Sequence, residues 1–281
     1  VLNDIKRWLG FKLLTYADPV EGHDYVLVVD VSAGLGRDYH CAHVIDISVR
    51  PFDQVAVFRD NTLKAEDLAL KLAEIGDAYN GAPILVENNN GGLALYHLEQ
   101  TAGYEAIIFT TEASKRDGPA RASTDVVIGG GRPGTVGGVR CTTDVKRLGL
   151  AIIKWLLEHD ELRINDRMTA DELSTFQRNP KAKTDIYEAL PGHHDDAVSA
   201  LLLFGWLTET EGHRLDWLRA MKASTGGAAP LFFLHDDGRR IETGLPAEML
   251  TEDAMRLAAA DLSENRDRAF CGGQRFEWPK R

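Results

Sequence analysis

The chain has 281 residues, 44% hydrophobic and 27% charged, enough for one large globular domain or two modest ones with a proper core. No apolar run reaches the roughly 20 residues of a membrane span. Three scattered cysteines, Cys41, Cys141 and Cys271, argue against both a disulfide framework and a zinc site. The formal net charge of -11 weighs by itself against a nucleic-acid binder.

VLNDIKRWLG opens the chain with neither an initiator methionine nor a signal-peptide pattern, so a fragment of a longer, cytoplasmic protein is expected. Residues 1–23 mix proline, glycine and charge and read as a lead-in segment. YVLVVDV (25–31) is a nearly unbroken β-branched run, the pattern of a strand covered on both faces. After the turn-rich SAGLGRD (32–38), YHCAHVIDISV (39–49) reads as a second strand, and so short a turn predicts antiparallel pairing. QVAVFRD (54–60) is a third.

AEDLALKLAEIGDAY (65–79) carries Leu68, Leu72 and Ile75 at helical spacing. APILVENNNGG (82–92) is a short strand closing on polar residues, LALYHLEQTAG (93–103) a helix with Gly103 as its C-cap, and EAIIFTT (105–111) a fifth strand. Periodicity lapses over 112–143, where GGGRPGTVGG (129–138) reads as loop or hairpin. DVKRLGLAIIKWLLEHDEL (144–162) is an amphipathic helix with Asp144 a plausible N-cap. ADELSTFQRN (170–179) and the stretch that follows it are weaker strand candidates, and AVSALLLFGWL (197–207) an apolar helix. Beyond residue 210 one further helix is expected, over 246–262. Strands mixed with helices, opening on a three-strand meander, indicate an α/β sheet of mixed direction.

Some carboxylates violate their surroundings. Asp30 sits inside YVLVVDV, Glu87 closes ILVE, and Asp195 and Asp196 open a helix whose next eleven residues carry no charge. An unpartnered buried carboxylate costs several kcal/mol, and a divalent cation neutralises several at once. If strands 25–31 and 82–88 are parallel neighbours, about 4.8 Å apart, Asp30 and Glu87 lie at matching ends. The helix from 196 would pack on that sheet and bring in Asp196. Singly, each residue has a plainer reading: a turn former, a helix cap, loop chemistry in the run Glu87–Asn90. The metal reading rests on the set.

Other signals are weaker. His193 and His194 suit a loop role or a DNA contact better than ligation, and His40 and His43, three apart in a strand, face opposite sides. GGGRPGTVGG lacks the GK[ST] ending of a phosphate loop and the strand before it, and no GxSxG elbow occurs.

VVDVSAGLGRDYHCAHVIDI, ILVENNN, TTDVKRLGLAIIKWLLEHDELRI, LSTFQRN and GHHDDAVSALLLFGWL, in this order, resemble the nuclease domain of tailed-phage large terminase subunits. The T-even type, with its DxSxGxxxDYxxxxxID and HDDxVxSLxxFGWL stretches, is the nearest in pattern. The resemblance spans roughly residues 24–209 and rests on five ordered motifs, each loose alone. It implies an RNase H-like fold, a central mixed β-sheet flanked by helices, over 24–210. Residues 1–23 would then be a linker from an ATPase domain, whose Walker A loop is absent from this sequence. Residues 211–281 would be an extension packing on the nuclease or docking a partner.

The resemblance further implies a metal-dependent endonuclease cutting concatemeric double-stranded DNA into genome lengths. The family's acidic positions fall on Asp30, Glu87 and Asp196, with Asp195 a neighbouring ligand; the choice within the pair follows the motif alone. Two Mg²⁺ or Mn²⁺ ions would act on the scissile phosphate. The partners implied are DNA, the ATPase domain, the portal and the small terminase subunit, with no membrane, and the place of action is the host cytoplasm at the procapsid portal.

The charge objection meets one local exception. Residues 115–147 hold Lys115, Arg116, Arg121, Arg132, Arg140, Lys146 and Arg147 against three aspartates. This stretch reads equally as an ordinary solvated loop or as a phosphate-contacting surface, and the resemblance favours DNA, with His194 a further candidate contact. The acidic remainder predicts weak DNA binding by the isolated domain. Two rivals stay open: a RuvC-like resolvase or another RNase H-type nuclease, and a catalytically silent portal-docking module.

Overall fold

A computed structural model describes residues 12–32, 38–111, 126–129, 135–179 and 187–208, and beyond these only the strand residues 230–234, 240–246, 268–271 and 274–276. The chain divides into two compact units, Val1–Arg214 and Leu215–Arg281. Among the described residues no helix is long and apolar enough to cross a membrane.

The first unit is built on one mixed sheet. Strand β1 (Leu13–Thr15) lies within the expected lead-in and pairs antiparallel with β4 (Phe52–Asp60). Between them in sequence come β2 (Tyr25–Asp30) and β3 (His40–Asp46), and β2–β3–β4 form the expected antiparallel meander. Every residue of β3 is buried, as befits the middle strand of a sheet covered on both faces. Helix α1 (Ala65–Ala78) leads to β5 (Ile84–Val86), which returns parallel to β2 in the register Leu27–Ile84, Val28–Leu85, Val29–Val86. The sheet order is thus β1-β4-β3-β2-β5, and β9 (Leu162–Arg163) adds a parallel pair beside β4.

Helix α2 (Asn88–Gln100) starts five residues before the predicted 93, and its C-cap is Thr101. Asparagine and glycine are poor helix formers, so Asn88–Gly92 reads as loop. Packing overrides this: a Cβ on Gly91 would stand 2.8 Å from Val86 Cγ1, so only glycine lets the first turn seat against the strand it has just left. Strand β6 (Ile108–Thr111) is flanked antiparallel by β7 (Val126–Ile128) and β8 (Thr135–Gly137), so β7 and β8 do not pair as a hairpin with each other. Residues 112–125 and 130–134 lie outside the described set.

Helix α3 (Thr143–Glu158) is capped by Thr142, whose side chain accepts from the Val145 amide at 3.3 Å; Asp144 sits one turn position inside and pairs with Arg147 instead. Helix α4 (Arg167–Thr175) takes the first part of the strand expected at 170–179, and the last part is strand β10 (Phe176–Arg178), which pairs antiparallel with β11 (Tyr187–Ala189). The buried residues of α4 are Thr169 and Glu172, three apart. Its inward face is polar, so it shows no apolar period.

Helix α5 (Asp196–Leu207) is buried all round except at Ser199. It packs on β2 and β3, with α3 behind it and α4 beside it. At the α3 crossing the backbones nearly touch: a Cβ on Gly149 would meet the Leu202 carbonyl oxygen at 2.2 Å, and one on Gly205 the Gly149 oxygen at 2.3 Å. On the opposite face of the sheet, Tyr25 meets Tyr79 at the end of α1, rings 5.2 Å apart.

The second unit contains an antiparallel sheet in the order β13 (Arg240–Pro246), β12 (Pro230–Leu234), β14 (Arg268–Cys271), β15 (Gln274–Phe276). Of the helix expected at 246–262, Pro246 ends β13 and the rest lies outside the described residues.

Candidate active site

The parallel β2–β5 register decides where the first two acids meet. Asp30 ends β2, Glu87 follows β5 directly, and the Glu87 amide donates to the Val29 carbonyl at 2.8 Å. Their carboxyls share a hydrogen bond. Burial pushes the Asp30 carboxyl well above the usual range, and that bond and the charges of Glu87 and Asp196 push the same way; Lys146 opposes them.

Asp196 reaches the same neighbourhood from the first residue of α5. Its carboxyl is also raised, chiefly by burial and then by Glu172, against the Tyr39 amide that donates to it and the charges of Arg59 and His194. Asp196 Oδ2 is buried without a hydrogen-bond donor among the described residues; Arg59 Nη2 stands 3.7 Å and His194 Nδ1 3.5 Å away. Asp195, at the N-cap, makes no side-chain capping bond. That task falls to Glu172 of α4, whose Oε2 accepts from the amides of Ala197 at 2.8 Å and Val198 at 3.4 Å. The acid pair is therefore not explained as a helix cap.

Three helix N-termini converge here, and each favours negative charge. Helix α2 starts beside Glu87 and α5 at Asp196. The start of α3 is tied in by Asn89, which exchanges two bonds with the Cys141 backbone, at 3.0 and 3.2 Å. Asn88 bonds Gly137 O at 2.7 Å and, through its amide, Val139 O at 2.8 Å. The asparagine run thus clamps residues 137–141 next to Glu87. Gly138 fits only because, at φ +70, it carries no Cβ; one would lie 2.2 Å from the Val86 carbonyl oxygen. Among the described residues, no three His, Cys, Asp or Glu side chains stand in closed ligating geometry. The acids fit a hard divalent cation by donor type, by the burial of the Asp30 carboxyl against its acidic neighbours, and by the Asp196 oxygen that meets no donor among the described residues.

The model of the terminase RNase H-like domain family matches residues 27–213. The chain belongs to that family. The large terminase nuclease of thermophilic phage G20c, in its crystal structure with bound magnesium, superposes on the terminase domain with a TM-score of 0.52 at 18% identity, covering 69% of this chain and 86% of that one. The nuclease domain of the Thermus phage P74-26 large terminase gives 0.50 at 18% identity, covering 70% and 85%. At such identity these matches establish the fold, the RNase H-like α/β arrangement that the five motifs imply.

Of the basic residues expected on the terminase domain, Lys115, Arg116, Arg121 and Arg132 lie outside the described residues. Arg140 is exposed one position beyond Val139, which bridges Glu87. Lys146 is half-buried and acts on Asp30, whereas Arg147 is exposed and paired with Asp144 at 3.1 Å. His194 is half-exposed, its ring edge-on to Tyr39 at 5.4 Å. The sequence reading missed Arg59 and Glu172. Glu172 gave no signal on a helix without apolar period, and Arg59, next to Asp60 in a strand that also holds Asp53 and Gln54, gave none that set it apart.

Proposed function

We propose that this terminase domain is a metal-dependent endodeoxyribonuclease that cuts concatemeric double-stranded DNA into genome lengths during phage DNA packaging. The observation that carries the reading is the acid arrangement, with Asp30 and Glu87 brought together at the ends of parallel neighbouring strands beside an Asp196 oxygen that meets no donor among the described residues. Asp30, Glu87 and Asp196 would hold the metal, and Asp195, free of capping duty, would supply a further oxygen. The phage G20c nuclease, of the same fold, is known with bound magnesium and with bound cobalt, which supports a divalent ion here, two Mg²⁺ or Mn²⁺ in our reading. Bound ions would supply an activated water and stabilise the departing 3′ oxygen.

The protein's own part is to hold four carboxylate groups on rigid strand and helix ends, so that no side chain need act as general base. Arg140, next to the Val139 that bridges Glu87, and Lys146, which acts on Asp30, would contact the phosphate backbone, with Arg147 and His194; the basic residues of 115–132 are proposed as further contacts on their charge alone. The ATPase domain, the portal and the small terminase subunit are the proposed partners, in the host cytoplasm at the procapsid portal.

Plasmid cleavage tests the reading. Wild type should nick or linearise DNA in Mg²⁺ or Mn²⁺, while Asp30→Asn and Asp196→Asn should fold and fail to cut. A folded wild type inert in both metals would instead favour a silent docking module, and preference for four-way junctions a resolvase.

A further inference from the structure

Arg59 projects from β4 among Tyr39, Glu172 and Asp196. Its Nη2 is 2.8 Å from Glu172 Oε1 and 3.7 Å from Asp196 Oδ2, and its guanidinium carbon lies 4.2 Å from the Tyr39 ring centroid. The side chain is 13% exposed, and its Nε has no acceptor among the described residues. Glu172 divides its two oxygens: one caps the first turn of α5, the other takes the guanidinium. A cation already trapped beside Asp196 competes with any metal ion for that carboxylate. What limits the competition is the nearer carboxylate, Glu172, on which the guanidinium is seated.

We propose that Glu172 is a positioning residue that anchors Arg59 on itself, leaving the Asp196 carboxylate available to a divalent cation. The inference rests on the metal reading of Asp30, Glu87 and Asp196 given above. Without the Glu172 charge, the guanidinium would close on Asp196. Moving from 3.7 to 2.8 Å at an effective dielectric constant of about 20 corresponds to about a tenfold change in an equilibrium constant.

Mn²⁺ binding to the full chain, without DNA, tests this by titration calorimetry and by the rise in melting temperature. Glu172→Gln keeps a side-chain oxygen for the Ala197 amide, so the cap survives; Mn²⁺ affinity should nevertheless fall about tenfold. Arg59→Gln should bind Mn²⁺ at least as tightly as wild type, and Arg59→Gln combined with Glu172→Gln should return to within about threefold of it. Wild-type affinity in Glu172→Gln, or a loss that Arg59→Gln does not relieve, would reduce Glu172 to a helix cap and overturn the proposal. Should Glu172→Gln fail to fold, Arg59→Gln alone decides, since weaker binding there would overturn it too. A wild type that does not bind Mn²⁺, or an Asp196→Asn variant that binds it equally well, would remove the metal reading itself.

Discussion

His43 is fully buried on the face of β3 that carries α5, and its tautomer is set by its neighbours. Gln54 presents its side-chain carbonyl to the amides of Asn165 and Asp166, at 2.9 and 2.8 Å, so its NH₂ group points at His43 Nδ1, 2.9 Å away. Nδ1 must accept, and Nε2 therefore carries the hydrogen donated to the Ala197 carbonyl at 2.8 Å. Burial lowers the imidazole from 6.5 to about 4, against the Ala197 carbonyl and the Asp166 carboxylate, which pull upward, and with help from Arg59. Between those two values the unfolded chain binds a proton that the folded one refuses, so stability falls as pH drops from about 6.5 to about 4 and levels off below. The loss from this residue is about 2 kcal/mol by pH 5 and about 3 kcal/mol in full. Urea unfolding at pH 7.5 and pH 5.0, on wild type and on His43→Gln, measures it. The carboxylates titrate in both proteins, so the difference between the two pH slopes isolates the imidazole. Wild type should lose about 2 kcal/mol more than the variant on acidification; equal losses would refute a neutral, buried imidazole gripping the first turn of α5.

Asp30→Asn should raise the melting temperature of the metal-free protein at pH 7, because the amide removes a carboxyl that burial and its acidic neighbours disfavour as an anion; a lower melting temperature would contradict that environment. Gly149→Ala should destabilise by about 2–3 kcal/mol, since its Cβ can be admitted only by moving α3 off α5, and an unchanged thermal melt would show that the helices do not cross this closely. Thr142→Ala should cost about 1 kcal/mol as the loss of the α3 N-cap, whereas Asp144→Ala, which breaks only an exposed pair with Arg147, should cost less than half of that; the reverse order in denaturant unfolding would restore Asp144 as the cap.

Three aspartates end strands of the central sheet, and they show how far the chain itself could be read. Asp60 accepts from the amides of Thr62 and Leu63 and pairs with Lys12, and Asp46 accepts from the Ser48 amide and pairs with His23. Both are turn formers, the plainer reading that a strand-end aspartate always permits. Asp30 faces Glu87 instead. The five motifs and the run of carboxylates at the mouths of apolar elements singled it out, but nothing local separates it from Asp46 and Asp60.

What the chain alone determined is the set of elements whose signal is local. Meander strands that are apolar on both faces, α1 and α3 with their apolar stripes, and a wholly apolar α5 each announce themselves, because burial selects side chains by the period of the backbone. The tertiary structure decided what depends on partners distant in sequence. Asn88–Gly92 became helix because Gly91 fits against Val86, and α4 is a helix whose buried face is polar because Glu172 there caps α5 and anchors Arg59. Asp30 and Glu87 meet because parallel pairing sets Glu87 beside the end of β2, and two glycines let α3 close over the helix that carries Asp196. A carboxylate's role is set by the charges and donors that face it, and those are fixed only when the chain has folded.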